Sequence, residues 1–587
     1  MTRLRKPKRN HAPGSRTSEP RTAPEPTPSA PAHALLLAWS VLACLVLLAY
    51  RYVFRLGFGN DDYIILEEVA LRPVSLALAW THLIAGYWRP WSREFHFWAT
   101  YRLFGVDATA FHLANVVIWL GVLASVLALV RRLTDARTAV LVVAGAFATS
   151  AWGIYLAWAC CAQDLWMLLF GTLFLHAQIS NRKVLAPLAL AMALLSKETG
   201  VLMLPICAWT QFTRRGRAGM RARDWIGPVL VASTWVVLHP SFGGRWFFGS
   251  GARFEASPMG PASAAVLRFL LAPLNLERWP EPRGGWGRAL VEGALWAAAL
   301  GTLAWSMVRN APAKGGAFPQ RGQWIRLGLG WWAIAWSPFA ISVFAWHSYY
   351  GWFGICGAWL AGVAWLSPRP RILVALLVAV SALRPAAVDT YGGEWGTEIY
   401  QRLAGERTDR IRDQMLALHP TLPHHARVFI AGIPSGTGVL TSPRYSVAMR
   451  VWYRDTTITL AGLRQYWTRS PEEPSGPDYF CVMDRDVRLF PLADGSITVP
   501  DSISANSVWP VSEEKVGAIV AGAGDPHRAM EIFARLAVTY PDTARYAYDL
   551  GVLYDNLRDS ARARVWLNRA DSIVGAPASR GRGFLQP

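Results

Sequence analysis

Apolar runs and polar breaks alternate along most of this chain with a long period. Stretches of mostly apolar residues occupy 34–54, 110–130, 138–157, 159–178, 184–197, 199–213, 225–242, 288–308, 324–345, 349–366 and 371–387. Crossing the hydrocarbon core of a bilayer takes about twenty helical residues, so the pattern predicts a polytopic helical membrane protein with about eleven spans. The fifth and sixth runs are short and read as a broken pair. Past 387 the pattern changes. Glu398 to Leu418 reads as a helix, and the apolar runs Ala426–Ala431, Tyr479–Met483 and Arg488–Pro491 suit strands. Residues 388–510 are therefore expected to form a small α/β domain, followed by helices over 511–577.

Within those last helices a period of 34 residues relates Ala529, Phe533 and Pro541 to Ala563, Leu567 and Gly575. Ala547, Leu550, Gly551, Tyr554, Ala563, Leu567 and Ala570 fall on tetratricopeptide (TPR) spacing, where small residues let antiparallel helices approach closely. About one and a half units are visible. The segment is a candidate surface for a protein partner, and residues 578–587 form a tail.

Composition agrees with the membrane reading: of 587 residues 53% are hydrophobic and only 17% charged. Thirty tryptophans suit a protein with lipid–water interfaces. The net charge of +20 sits largely in short loops, where the preference of Lys and Arg for the cytoplasmic side explains it; it is not read as a nucleic-acid surface. Residues 1–33 are a basic, Pro-rich tail of disordered composition. With this tail in the cytoplasm, every even-numbered crossing returns to a basic loop: Arg131, Arg132 and Arg137; Arg182 and Lys183; Arg214 to Arg223; Arg309 to Arg326; Arg369 and Arg371. That count places the C-terminal region outside the cytoplasm, in the periplasm or at the cell exterior, with the chain in the inner (plasma) membrane. The long external loops are then 55–109 and 243–287. In the first, the aromatic-rich stretches VSLALAWTHLIAGYW and REFHFWATYRLF read as helices lying along the membrane surface. The six cysteines form no CxxC pair, and neither a disulfide framework nor a zinc site is indicated.

Charged groups at the outer side carry the candidate chemistry. Asp61–Asp62 could hold a divalent cation such as Mg or Mn through oxygen ligands, supply a general base toward a hydroxyl, or be a solvated loop pair. Lys197 and Glu198 either pair and snorkel or present a cation to a lipid phosphate. Arg89, in YWRPW, suits a bidentate grip on phosphate and suits equally an ordinary interfacial arginine. His112 and Asn115 begin the second span as a hydrogen-bonded packing element, and His347 lies on the same outer side. By this topology all of them surround one cavity mouth.

Taken in order, these stretches resemble a known family. DDYIIL, then YWRPWSREFHFWATYRLFGVDATAFHLANVVIWLG, then LAWACCAQDLWMLLF and AMALLSKETGVLMLP are similar to segments of the transmembrane and TPR-repeat O-mannosyltransferases. More broadly, they are similar to the GT-C superfamily of glycosyltransferases that use polyprenyl-phosphate sugars. Two departures stand out. Thr149-Ser150 and Ile154 occupy the places of a His-Pro…Glu segment, and His347-Ser348-Tyr349-Tyr350 replaces an Arg-Tyr-x-Tyr segment. The resemblance implies a GT-C-like membrane domain over 34–387 and sugar transfer to a protein or glycan acceptor on the non-cytoplasmic face. It implies Asp61 as catalytic carboxylate with Asp62 as its metal or acceptor partner, Arg89 and Lys197 on the donor phosphate, and Glu198 orienting Lys197. A different reading of the same chain is a non-catalytic GT-C-like scaffold whose TPR region binds a protein.

Overall fold

The computed structural model describes residues 32–71, 88–216, 220–239, 262–309, 320–340, 347–390, 395–431, 433, 446–467, 476–484, 486–492, 513–522 and 524–574. The basic tail as far as residue 31, residues 72–87 and residues 243–261 of loop 243–287 lie outside the described residues, as does the tail 578–587.

Each of the eleven apolar stretches carries a helix. In chain order these and their neighbours are α1 (Ala32–Ala49), α2 (Asp61–Leu71), α3 (His96–Phe104), α4 (Ala108–Leu133), α5 (Ala136–Phe147), α6 (Ala162–Ile179), α7 (Leu185–Ser196), α8 (Met203–Arg215) and α9 (Ile226–Leu238). They continue as α10 (Ala262–Leu271), α11 (Gly285–Arg309), α12 (Arg321–Trp336), α13 (Trp352–Leu366) and α14 (Pro370–Asp389). By length and composition, five of the helices among the described residues suffice to cross a bilayer: Leu35–Arg55, Ala108–Leu133, Ala159–Ile179, Gly285–Arg309 and Pro370–Asp389. A sixth arises if Ala136–Phe147 and Ser150–Ala157, bent by 70° at their junction, count as one span. The expected count of eleven full spans is therefore not met by helix length. An apolar run records burial, and several of these runs break inside the protein, where neighbouring helices satisfy the freed backbone groups.

Local sequence sets the helix ends. Asp107 accepts from the Thr109 amide at 2.9 Å at the start of α4, and Asp135 accepts from the Thr138 amide at 2.9 Å at the start of α5. Gly105, at φ 67°, ends α3 in a conformation that favours glycine. Where helices cross closely the contact residues are small: Gly328 of α12 lies against the Gly357 carbonyl of α13, as is common between helices that share a membrane. The tryptophans are not all interfacial. Trp119, Trp152, Trp331 and Trp352 are fully buried, and Trp119 and Trp152 stack with centroids 5.4 Å apart. An indole fills a large interior gap as readily as it sits at a headgroup.

The C-terminal region begins with α15 (Glu398–Leu418) and a four-stranded sheet of β1 (Arg427–Ala431), β2 (Thr459–Gly462), β3 (Asp478–Met483) and β4 (Leu489–Leu492). Its order is β2-β1-β3-β4. β1 runs parallel to both β2 and β3, and β4 is antiparallel to β3. Strand alternation splits the core in two. Val428 and Ile430 point into one cluster with Ile411 and Met415 of α15 and the membrane helices. Phe429 and Phe480 point into a second, with Val516, Val520, Ala529 and Phe533. These last residues come from α17 (Glu513–Gly522) and α18 (Pro526–Thr539), which follow the short α16 (Val447–Tyr453). α19 (Ala544–Asn556) and α20 (Ser560–Val574) are the last elements among the described residues. A Cβ on Gly551 of α19 would come within 2.7 Å of the Leu567 side chain of α20, the close approach that small residues permit.

Candidate functional site

The break between α7 and α8 organises the site. Lys197 leaves the helix in extended backbone, φ −161° and ψ 144°, so it and Glu198 project to opposite sides. Lys197 Nζ reaches Asp164 Oδ1 at 2.6 Å and lies 4.6 Å from the ring centre of Tyr350. Glu198 turns the other way and accepts from Arg89, at 2.8 Å from Nε and 2.5 Å from Nη2 to Oε2. His239 Nε2, just past α9, stands 3.8 Å from Glu198 Oε1. The resemblance assigned Glu198 to orienting Lys197; here it pairs with Arg89, and Asp164 takes Lys197.

The first turn of α6 joins the two pairs. Its adjacent residues Gln163 and Asp164 diverge around the helix, so Gln163 hydrogen-bonds Arg89 while Asp164 holds Lys197. Arg89 is delivered by the turn that opens loop 88–104, where Pro90–Phe95 forms a π-helical segment of the kind that often marks functional sites. Ser92 Oγ donates to the Ser196 carbonyl at 2.6 Å and ties that segment to the α7 break.

The two aspartates part company. Asp62 is 1% exposed; its Oδ2 accepts the Gly59 amide at 3.0 Å and its Oδ1 the Cys160 amide at 2.7 Å. Burial pushes its carboxyl up to about 8, against the pull of those amides. Asp61 is exposed; desolvation by the surrounding protein raises its pKa, while Arg93 and Arg89 pull it down. Accessible to solvent, it stands within the electrostatic reach of two guanidinium groups. Asp62 is thus a loop tie, and Asp61 alone offers a carboxylate to a ligand.

The two aspartates do not present a shared pair of carboxylates to the divalent cation that the sequence suggested. Both oxygens of Asp62 are taken by amides. Among the described residues no group of three His, Cys, Asp or Glu is gathered to hold a metal ion.

His112 and Asn115 are framing residues. His112 Nδ1 bonds the Leu156 carbonyl at 2.9 Å, and Asn115 Nδ2 donates to the Tyr155 and Trp158 carbonyls at 2.9 and 3.1 Å. Together they hold the irregular 153–161 segment that presents the Cys160 amide to Asp62. His347 lies 4.1 Å from the Trp395 ring centre. Burial, then Arg278, Arg268 and Lys197, push its imidazole down to about 3. It sits at the wall shared with the C-terminal region rather than among the ion pairs.

Sequence reasoning passed over Gln163, Arg93 and His239 in this site. Gln163 and Asp164 form a polar pair opening an apolar helix, which is the one local signal available. Arg93 and His239 carry none, because only the fold brings them here.

No protein-family model and no curated protein matches the chain. Among solved structures it is similar to the crystal structure of ArnT from Cupriavidus metallidurans bound to undecaprenyl phosphate, at 14% identity over 78% of this chain and 94% of that one, with a TM-score of 0.38. Likeness that loose leaves the chemistry to this chain's own residues.

Proposed function

We propose that the chain is a GT-C membrane glycosyltransferase, resembling O-mannosyltransferases, that moves a sugar from a polyprenyl-phosphate donor to a hydroxyl of a protein or glycan on the non-cytoplasmic face of the inner membrane. The observation that carries this reading is the separation of Asp61 from Asp62. One carboxylate of the pair is locked into backbone amides, while the other is left accessible under the influence of Arg89 and Arg93.

In this reading Asp61 accepts the proton of the acceptor hydroxyl. The acceptor oxygen bonds the anomeric carbon as the bond from that carbon to the phosphate oxygen breaks, and the electron pair leaves with polyprenyl phosphate. The negative charge gathering on that phosphate needs fixed positive charge in a dry site. Arg89 and Lys197 supply it, each held in place until then by a carboxylate, Glu198 or Asp164. A raised pKa makes Asp61 a stronger base than a solvated aspartate. No step is routed through a cation.

Membranes carrying the wild-type chain should transfer sugar from a polyprenyl-phosphate donor, and membranes carrying Asp61→Asn at equal expression should not. Unchanged transfer by Asp61→Asn overturns the role of Asp61. If loss of function instead follows deletion of 511–577 and ignores Asp61, the chain is the scaffold whose TPR-like region binds a protein partner.

A further inference from the structure

The residue just before Asp61 has an unusual backbone. Asn60 adopts φ 49°, the left-handed region that side-chain-bearing residues enter at a cost. It is also the last residue before α2 begins, so its conformation sets the direction in which Asp61 leaves the loop. Asn tolerates this region better than most residues, but tolerance does not select it over ordinary backbone.

A residue 341 positions away supplies the selection. Asn60 Nδ2 donates to Gln401 Oε1 at 2.8 Å. Gln401 is 2% exposed, and its amide nitrogen donates to the Trp395 carbonyl at 2.6 Å, which fixes which end of the amide faces Asn60. The helix that carries it, α15, is pressed onto the same loop. A Cβ on Gly57 would come within 2.8 Å of the Gly405 carbonyl, and the position of Gly59 faces the Ala404 side chain. One turn earlier, Glu398 accepts from the hydroxyls of Tyr50 and Tyr52, each at 2.6 Å, and pins the start of α15 to the end of the first span.

We propose that Gln401 is a positioning residue for Asp61: it holds Asn60 in the left-handed conformation and so sets the direction of the catalytic carboxylate at the start of α2. The catalytic half of this inference rests on the transferase reading. Its consequence is that the region after the last membrane helix is part of the active site's construction and not an appended module. Gln401 touches no reacting atom; it acts only through the backbone of Asn60.

Glycine supplies the test, because it enters the left-handed region without a Cβ penalty. Three variants of the full chain are compared with wild type in nanodiscs: Gln401→Ala, Asn60→Gly and the two combined. Hydrogen exchange of the 56–66 segment should quicken by about tenfold or more in Gln401→Ala, since the turn amides of Asp62 and Tyr63 lose their support. In the transfer assay kcat should fall by about tenfold or more while KM for the donor stays within about twofold, as expected of a misaimed group. The double variant should recover most of that kcat, which a merely structural role for Gln401 does not predict. Unchanged exchange in Gln401→Ala overturns the proposal whether or not any sugar moves. So does a double variant no better than Gln401→Ala alone. A wild-type chain that moves no sugar, yet shows the exchange response, overturns the transferase reading and leaves Gln401 as the support of the 57–62 loop.

Discussion

Ion pairs occur in both halves of this protein, and they do different work in each. In the membrane half Arg89–Glu198 and Lys197–Asp164 sit among helices, with the Lys197 and Asp164 side chains only 7% and 4% exposed. In the C-terminal half Arg427–Asp478 joins the first residues of β1 and β3, and Arg488–Asp484 closes the turn before β4, its arginine 56% exposed. The exposed Arg488–Asp484 pair costs little and contributes little, because water screens it, while the bidentate Arg427–Asp478 pair, 15% and 16% exposed, lies between the two extremes. The first kind is expensive: removing two charges from water is repaid only by close geometry, and breaking one partner strands the other. Charges retained at such a cost point to a task beyond stability, and one of them, Arg89, acts on the accessible Asp61.

The largest expected effect falls on that carboxylate. Asp61→Asn should lower transfer by about a hundredfold or more, the usual worth of a positioned base, with no change in thermal unfolding. Equal loss in Asp62→Asn without unfolding would erase the distinction drawn between them. Asp164→Asn comes next: it leaves Lys197 buried without its counter-charge and should destabilise the detergent-solubilised protein by about 3–5 kcal/mol, read as a drop in unfolding temperature.

A pH profile sharpens the same contrast. Only ionised Asp61 can accept a proton, and its pKa is raised by burial. Transfer should therefore climb as pH rises through that raised value and fall as pH drops below it. The slope should vanish in the residual activity of Asp61→Asn. Smaller still is Asp478→Asn, which weakens a bidentate, half-buried pair and should cost about 1–3 kcal/mol in the sheet. Arg488→Ala should cost less than about 1 kcal/mol, the range of an exposed pair. A loss of several kcal/mol at Arg488 would show that the two halves do not differ in the way their burial suggests.

Legibility followed locality. The helix Glu398–Leu418 and the strands at Arg427–Ala431 and Asp478–Met483 were readable, because periodicity and flanking turn residues lie within each segment. Strand β2 was not: Thr459–Gly462 is four residues long at a sheet edge and shows no clear alternation. In the site, Asp61, Arg89, Lys197 and Glu198 were readable as unusual charges beside apolar runs. Their pairings were not, since Lys197 and Glu198 are adjacent in the chain and look like each other's partners until the extended backbone at Lys197 separates them.

The sequence by itself determined that this is a helical membrane protein with a sheet-bearing C-terminal region, and which charged groups are out of place in apolar surroundings. Those properties follow from hydrophobic period and composition, which each segment carries alone. Only the tertiary structure decided which of two neighbouring aspartates is accessible, which carboxylate each cation meets, and that Gln401 reaches Asn60 across 341 positions. Such facts depend on distances between segments far apart in the chain, and no local preference encodes them.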